Sequence, residues 1–273
     1  MIPHLYRIEC LTNLHVGNGD VNYSIIDNEV QRDAVLTDTP IIHSSGVKGA
    51  LRQHFKDDLV KSKVDEIFGA DGKDGGETTP GVYKFFDAFC LARPLRITST
   101  VESGIAYVPG VSFVGLQSYL TFLHGVGITR WNIGKDPFSP SNGDAPTPGT
   151  NGKDKLFVKG VPGQVWVEGN KAVNANRLDQ DLEATLTALV GPTYALAPRL
   201  DDYALPMIAR NYLETGISQN VWYEEFVPHS SIFYTVIMTP GKTCDLDFSA
   251  VIQFGGNASV GYGYCHMEEV CHG

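Results

Sequence analysis

Phe254-Gly255-Gly256-Asn257-Ala258-Ser259-Val260-Gly261-Tyr262-Gly263-Tyr264 sets four glycines in nine residues between two apolar runs, with no acidic side chain among them. Glycine loses more conformational entropy on ordering than any other residue, so such density answers a need for positive φ or for close approach of bare backbone. A flexible turn before a last strand is the simpler reading, because an isolated glycine-rich motif is a weak signal. Either way the segment is a loop between strands, and it sets the pattern for a last third that reads as largely β.

Composition bounds the rest. The 273 residues, 42% of them hydrophobic, suffice for one large domain or two modest ones with a substantial core. No apolar stretch approaches the roughly 20 residues that span a bilayer, and Met1 to Arg7 lacks the basic start and apolar region of a signal peptide. A soluble, cytoplasmic protein is expected. Cys10, Cys90, Cys244, Cys265 and Cys271 are odd in number, scattered and never in a Cys-x-x-Cys pair, which argues against a disulfide framework and a zinc ribbon. A net charge of −10 speaks against a generic nucleic-acid binder. Basic residues gathered on one face, phosphates held by backbone N–H groups and helix ends, or charge from partner subunits would override it.

Along the chain, residues 4–12 alternate as a half-buried strand, with Leu5, Arg7 and Glu9 on one side and Tyr6, Ile8 and Cys10 on the other. Leu14 to Asp20 breaks it. Val47, Ala50, Leu51, Phe55 and Leu59 recur at helical spacing, with Ser44 and Ser45 placed to cap the first helix. Residues 61–81 read as a loop, Val82 to Ile97 as a strand broken at Pro94, and Val111 to His124 as a second helix. Residues 125–155 form a Gly/Pro/Asn/Asp-rich surface insertion. Strand-like Gln164 to Glu168 precedes a third helix over Asn176 to Val190. Strands are expected at Met207 to Leu213, Gln219 to Phe226 and Ile232 to Thr239, then across Phe248 to Phe254 and after the glycine loop. Without regular βαβ alternation, the class is α+β with a mainly antiparallel sheet.

Three segments can carry chemistry. Ser44-Ser45-Gly46-Val47-Lys48-Gly49-Ala50-Leu51-Arg52 opens a helix whose free N–H groups, with Lys48 and Arg52 four apart, suit an anion; an ordinary capped helix with two solvated cations is the plain alternative. It lacks the spacing of a Walker A loop. Ile25 to Asp33 sets several carboxylates in an irregular segment soon after His15, where Asp27 either serves catalysis or caps a turn. Tyr262 and Tyr264 either stack on bases or pack against the core.

Taken in order, these segments resemble the RAMP superfamily of CRISPR effector proteins, most closely the repeated backbone subunit of type III-B (Cmr) complexes. A His-x-Gly-x-Gly pattern followed by Ile-Asp-x-x-Val-x-Arg-Asp is met by His15, Gly17, Gly19, Ile26, Asp27, Val30, Arg32 and Asp33. The Lys-Gly-x-Leu-Arg helix start is met by Lys48 to Arg52, although Ser44 and Gly46 stand where the family has glycine and serine. Phe86-Asp87-Ala88, Pro94-Leu95-Arg96, Trp222-Tyr223-Glu224-Glu225 with Pro228, and Gly255 to Gly263 follow in the same order.

The resemblance implies a single RAMP domain over 1–273, with a ferredoxin-like (RRM-like) core, insertions and a protruding thumb β-hairpin near 207–226. It implies that Ser44, Ser45, Lys48 and Arg52, with Gly255, Gly256, Asn257, Gly261 and Gly263, hold CRISPR RNA, and that copies stack along that RNA with other Cmr subunits. Target single-stranded RNA would be cut at six-nucleotide intervals in antiviral defence. Asp27 would be the catalytic and metal-binding residue, with His15 and Glu225 nearby and a divalent ion, magnesium or manganese, bound only with RNA. The reaction would be attack of the target's 2′-hydroxyl on the adjacent phosphate. The type III-A (Csm) backbone subunit, a purely structural RNA-binding subunit and a metal-free precursor-processing endonuclease are the competing readings.

Overall fold

The computed structural model describes residues 1–19, 26–71, 78–139, 156–175, 178–241 and 246–272. The chain divides into two compact units, Met1–Cys90 with Leu205–Gly273, and Leu91–Ala204. The first carries the motifs singled out above except Pro94-Leu95-Arg96.

Its centre is the opening strand, Ile2–Cys10, paired antiparallel on one side with Ile232–Thr239 and on the other with the last strand, Tyr264–His272. Ala250–Gln253 extends the ladder beyond the last strand. All three pairings are antiparallel. Tyr6, Ile8 and Cys10 point from the opening strand into a core shared with Phe233, Phe248, Phe254 and Met267. Leu5, on the opposite side, is fully buried as well, so the strand is covered on both faces there instead of half-buried.

Two helices close this core. The first, Ser44–Phe55, buries Val47 and Leu51, and the second, Lys61–Phe68, buries Val64, Ile67 and Phe68. The second helix and the short strands Gly69–Asp71 and Thr78–Pro80 occupy residues expected to be loop. The reason is local: Val64, Ile67 and Phe68 stand three and four apart and bury one apolar stripe, and Gly69 with φ 86° ends the helix. The Asp/Gly/Lys-rich tail that follows masked that stripe.

A two-stranded hairpin, Met207–Glu214 with Ile217–Glu225, forms its own sheet in this unit. Its turn at Thr215-Gly216 has positive φ at both residues, as a type I′ hairpin turn requires. Met207, Ile208, Tyr212, Leu213, Ile217, Val221 and Tyr223 are all exposed on it.

The second unit is built on the strand Ala88–Ser99 beyond Cys90, paired antiparallel with Tyr107–Ser112 and, near its end, with Val165–Val167. Tyr194–Ala197 lies parallel to Tyr107–Ser112 and antiparallel to Phe157–Lys159, and Val173–Asn174 lies parallel to the last of these. Helices Phe113–Gly125 and Gln180–Val190 are each capped by a side chain, Ser112 and Asp179. The expected break at Pro94 does not occur. Pro94 sits opposite Pro109, and because Ile97 N–H bonds Ala106 O three positions on, the proline pair falls at a non-hydrogen-bonded site of the ladder. Neither missing N–H costs a ladder bond between these strands. Past Gly125, which ends a helix, residues 126–139 of the expected insertion hold no strand or long helix, whereas 140–155, like Asn176 at the expected start of the third helix and Cys244, lie outside the described residues.

Candidate functional site

The strand break after Cys10 places three distant segments side by side. Leu14 and Val227 exchange both backbone bonds at 2.8 Å, which joins the break to the base of the hairpin. Gly17 bridges Val30, with Asn18 N–H on Glu29 O at 3.1 Å and Gln31 N–H on Val16 O at 2.8 Å. Ile41 N–H then bonds Gln31 O at 3.1 Å, and Gln31 reaches Gly17 O and His43 N–H with its own side chain. Irregular backbone buried in this way must find partners, and it finds them in its own motif segments.

His15 and Glu225 fasten the assembly. The His15 ring is buried, and its Nδ1 lies 2.7 Å from Glu225 O. A carbonyl only accepts, so Nδ1 carries a proton, and Nε2 lies toward Gly17, where an added Cβ would come within 3.1 Å. The Glu225 carboxylate is buried with both oxygens engaged: Oε2 accepts Val30 N–H at 3.1 Å and Oε1 accepts Arg32 Nη2 at 2.5 Å. His15 Nδ1 thus ties the strand break to the hairpin base, and the Glu225 carboxylate holds Val30 and Arg32. A buried carboxylate needs this pairing, since an unpaired one costs several kcal/mol.

Asp27 is placed differently. Its backbone N–H and that of Asn28 donate to Tyr223 O at 3.1 and 3.2 Å, and its Oδ2 accepts Tyr223 N–H at 2.8 Å. The residue is exposed, and Oδ1 makes no bond among the described residues. One carboxylate oxygen is therefore held rigidly at the hairpin and the other faces outward.

At the helix start the structure corrects the expected cap. His43, Ser44 and Ser45 make no side-chain cap bond; Ser44 N–H donates instead to Asp87 Oδ1 at 2.6 Å, with His43 Nδ1 3.7 Å from Asp87 Oδ2. A carboxylate at a helix N-terminus is favourable because it meets free N–H groups and the positive end of the dipole. Asp87 belongs to the Phe-Asp-Ala motif, so two motif segments meet here. Lys48 makes no ion pair among the described residues, whereas Arg52 lies 3.4 Å from Asp65 of the second helix. The two cations expected to act together are thus unequal.

The glycine loop is an ordered turn. Asn257 and Gly261 are left-handed, with a single 3₁₀ turn over Ala258–Val260 between them. Much of the glycine requirement is internal: Gly255, φ 71°, lies so close that an added Cβ would overlap His15 O, and at Gly263, φ 81°, it would overlap Phe254 O. Gly256 N–H donates to His15 O at 2.9 Å and Gly263 N–H to Asn13 O at 2.8 Å, so the loop is tied to the strand break. The N–H groups of Asn257, Ala258 and Ser259 have no bond among the described residues, and all three precede or open the 3₁₀ turn.

One cluster escaped the sequence. Glu224 Oε1, buried, accepts Arg210 Nε at 3.0 Å, Arg210 Nη2 at 2.8 Å and Asn257 Nδ2 at 2.7 Å. The Arg210 guanidinium also lies 4.9 Å over the Tyr262 ring, and Phe226 meets the same ring edge-on at 6.0 Å. Register carries the signal: Ile208 stands opposite Glu224 and Arg210 opposite Trp222, so Arg210 and Glu224 form a diagonal cross-strand pair. Without that register the opposite charges, fourteen residues apart, cannot be matched.

These parts are those of a known class. Residues 7–197 match the RAMP superfamily, well over half of the sequence, and the chain belongs to that superfamily. Over 97% of its length it is 22% identical to the CRISPR system Cmr endoribonuclease Cmr4 of Pyrococcus furiosus, 94% of which is covered. The chain also superposes on a subunit of a type III-B Cmr-beta complex bound to cognate target RNA, with a TM-score of 0.75, 17% identity, and 98% of this chain and 97% of that one covered. Against oligomeric Cmr4 from Pyrococcus furiosus the TM-score is 0.66 at 17% identity, with 99% of each chain covered. The solved structures establish a shared α+β fold with a mainly antiparallel sheet.

Proposed function

We propose that this chain is a backbone subunit of a type III-B CRISPR effector complex, holding CRISPR RNA and cutting complementary target RNA at Asp27. The observation that carries the proposal is the outward Asp27 carboxylate, fixed by Tyr223 N–H at the hairpin base in a chain similar almost end to end to an endoribonuclease. Residues 1–273 act as one RAMP subunit with a ferredoxin-like core, and further copies stack along the guide. The hairpin Met207–Glu225 is the thumb. Its exposed apolar residues suit insertion between nucleotides, because apolar and aromatic side chains stack on bases without reading them.

The guide lies on Lys48, the helix start and the free N–H groups of Asn257 to Ser259, which together offer one cation and several backbone donors. Backbone donors hold phosphate without net positive charge, which reconciles RNA binding with a net charge of −10. Where the thumb displaces a target nucleotide, the freed 2′-oxygen attacks the adjacent phosphorus, the P–O5′ bond breaks, and a 2′,3′-cyclic phosphate and a 5′-hydroxyl result. Asp27 Oδ1 takes the 2′-hydroxyl proton, and water gives the leaving 5′-oxygen the proton it needs. His15 and Glu225 act as positioning residues.

A divalent ion of the magnesium class fits here only as a shared guest. With an ion bound, Asp27 Oδ1 would be its ligand and water would take the 2′-hydroxyl proton; both oxygens of Glu225 and Oε1 of Glu224 are engaged, so the remaining ligands fall to RNA phosphate and water, as is common for such ions. When bound, the ion would neutralise charge on the scissile phosphate.

Mapping of cuts on a guide-complementary RNA in the reconstituted complex tests the proposal. Cuts spaced six nucleotides apart are expected. Target bound but left whole would instead make the chain a structural subunit, and cleavage of repeat RNA by the isolated protein in EDTA would make it a processing enzyme.

A further inference from the structure

Away from this site, the first and last strands bring together His4, Glu269 and His272, and we propose that these three bind a divalent transition ion of the zinc class. His4 Nδ1 lies 2.8 Å from Glu269 Oε1, His272 Nδ1 lies 3.6 Å from the same oxygen, and all three ligand atoms fall within 4.8 Å of one another. Zinc–nitrogen bonds of about 2.0–2.1 Å in a tetrahedron put neighbouring ligand atoms roughly 3.3 Å apart, a value these separations bracket. Two imidazoles and one carboxylate suit a borderline ion such as zinc better than a hard one such as magnesium.

The backbone arranges the cluster. His4 pairs with His272 and Leu5 with Cys271, but Tyr6 pairs with Glu269, so Val270 is an extra residue on the last strand. Residues 269 and 272 would point to opposite faces of a regular strand. The bulge returns both to the face that carries His4, a re-aiming for which bulges are commonly used.

A hydrogen-bond chain then fixes the His4 tautomer. Thr239 Oγ1 donates its single proton to Gly241 O at 2.7 Å, so at His4 Nε2, 3.1 Å away, the threonine accepts and Nε2 carries the proton. Nε2 is thus spent on the threonine, and Nδ1, 2.8 Å from Glu269 Oε1, is the ring atom left for an ion. A ligating histidine that donates its other N–H to a neighbour is the usual outer-shell pattern. His4 is buried, while the His272 side chain is 68% exposed, which leaves a way in and a ring free to close on the ion.

The ion would staple the two chain ends of the first unit. The test is titration of tag-free, chelator-treated full-length protein with Co²⁺, followed by visible absorption, and with Zn²⁺, followed by thermal unfolding. One Co²⁺ per chain, displaced by Zn²⁺, and a Zn²⁺-dependent rise in melting temperature are expected. His272→Ala and Glu269→Gln alter partly exposed residues and so retain the fold, and each should weaken Co²⁺ at least ten-fold and abolish the Zn²⁺-dependent rise. A protein that shows no cobalt band, or variants that bind as tightly as the parent, would overturn the site and leave His4 and Glu269 as an ordinary hydrogen-bonded pair.

Discussion

Glu224 at the base of the hairpin accepts a hydrogen bond from Asn257 in the glycine loop at 2.7 Å, while the same oxygen holds Arg210. An isolated two-stranded hairpin is at best marginally stable in water. This buried contact therefore couples the hairpin to the loop proposed to hold the guide.

Glu224→Ala should leave Arg210 without its buried partner and Asn257 without its acceptor. Breaking such a pair costs about 3–5 kcal/mol, so a clear fall in melting temperature is expected. Glu224→Gln retains an acceptor and should cost less. In both variants limited proteolysis should cut first near Thr215-Gly216, because the hairpin loses its anchor.

Gly261 and Gly263 share φ near 80° but differ in surroundings: an added Cβ at Gly261 meets nothing within 4 Å, whereas at Gly263 it overlaps Phe254 O. Gly261→Ala should cost roughly 1–2 kcal/mol, the left-handed penalty alone. Gly263→Ala should cost roughly 1–3 kcal/mol more, because the steric overlap adds to that penalty. Denaturant unfolding of the two variants side by side measures the difference.

Lys48→Ala should weaken RNA binding and reduce the salt slope by about one, as loss of one phosphate contact does. Arg52→Ala removes a partly exposed pair with Asp65, worth about 0.2–1 kcal/mol, and should lower stability slightly with less effect on the slope. Filter binding across a salt series separates them.

How far the sequence told this in advance depends on the range of the contact. The opening and closing strands, the hairpin strands and the helices beginning near Ser44, Val111 and Gln180 were visible because periodicity is local. The cap on Ser44 comes from Asp87, 43 residues away, and no local signal reveals it. The same holds for Glu225, whose partners Val30 N–H and Arg32 stand 195 and 193 residues away. The glycine loop was legible as a place of close approach, but the nearest backbone it approaches is its own, at His15 and Phe254. Pro94 misled because its cost depends on which residue stands opposite.

Tyr194 is fully buried, and its hydroxyl has no hydrogen-bond partner among the described residues. Burial, with Glu183 nearby, raises its pKa to about 12. The unfolded phenol ionises near 10, so stability from keeping the ring neutral is complete below about pH 10 and lost as pH climbs toward 12. Tyr194→Phe removes the unpaired hydroxyl and should stabilise by about 1 kcal/mol at neutral pH. It should also lessen the alkaline loss, as melting curves at pH 7 and above 10 would report.

The central claim rests on Asp27, and the most direct measurement is target cleavage by complexes reconstituted with Asp27→Asn. Asparagine keeps the oxygen that accepts Tyr223 N–H but removes the negative charge. Normal guide and target binding with the six-nucleotide ladder lost is the expected result. Cleavage at the parent rate and spacing would contradict it and move the chemistry to another residue.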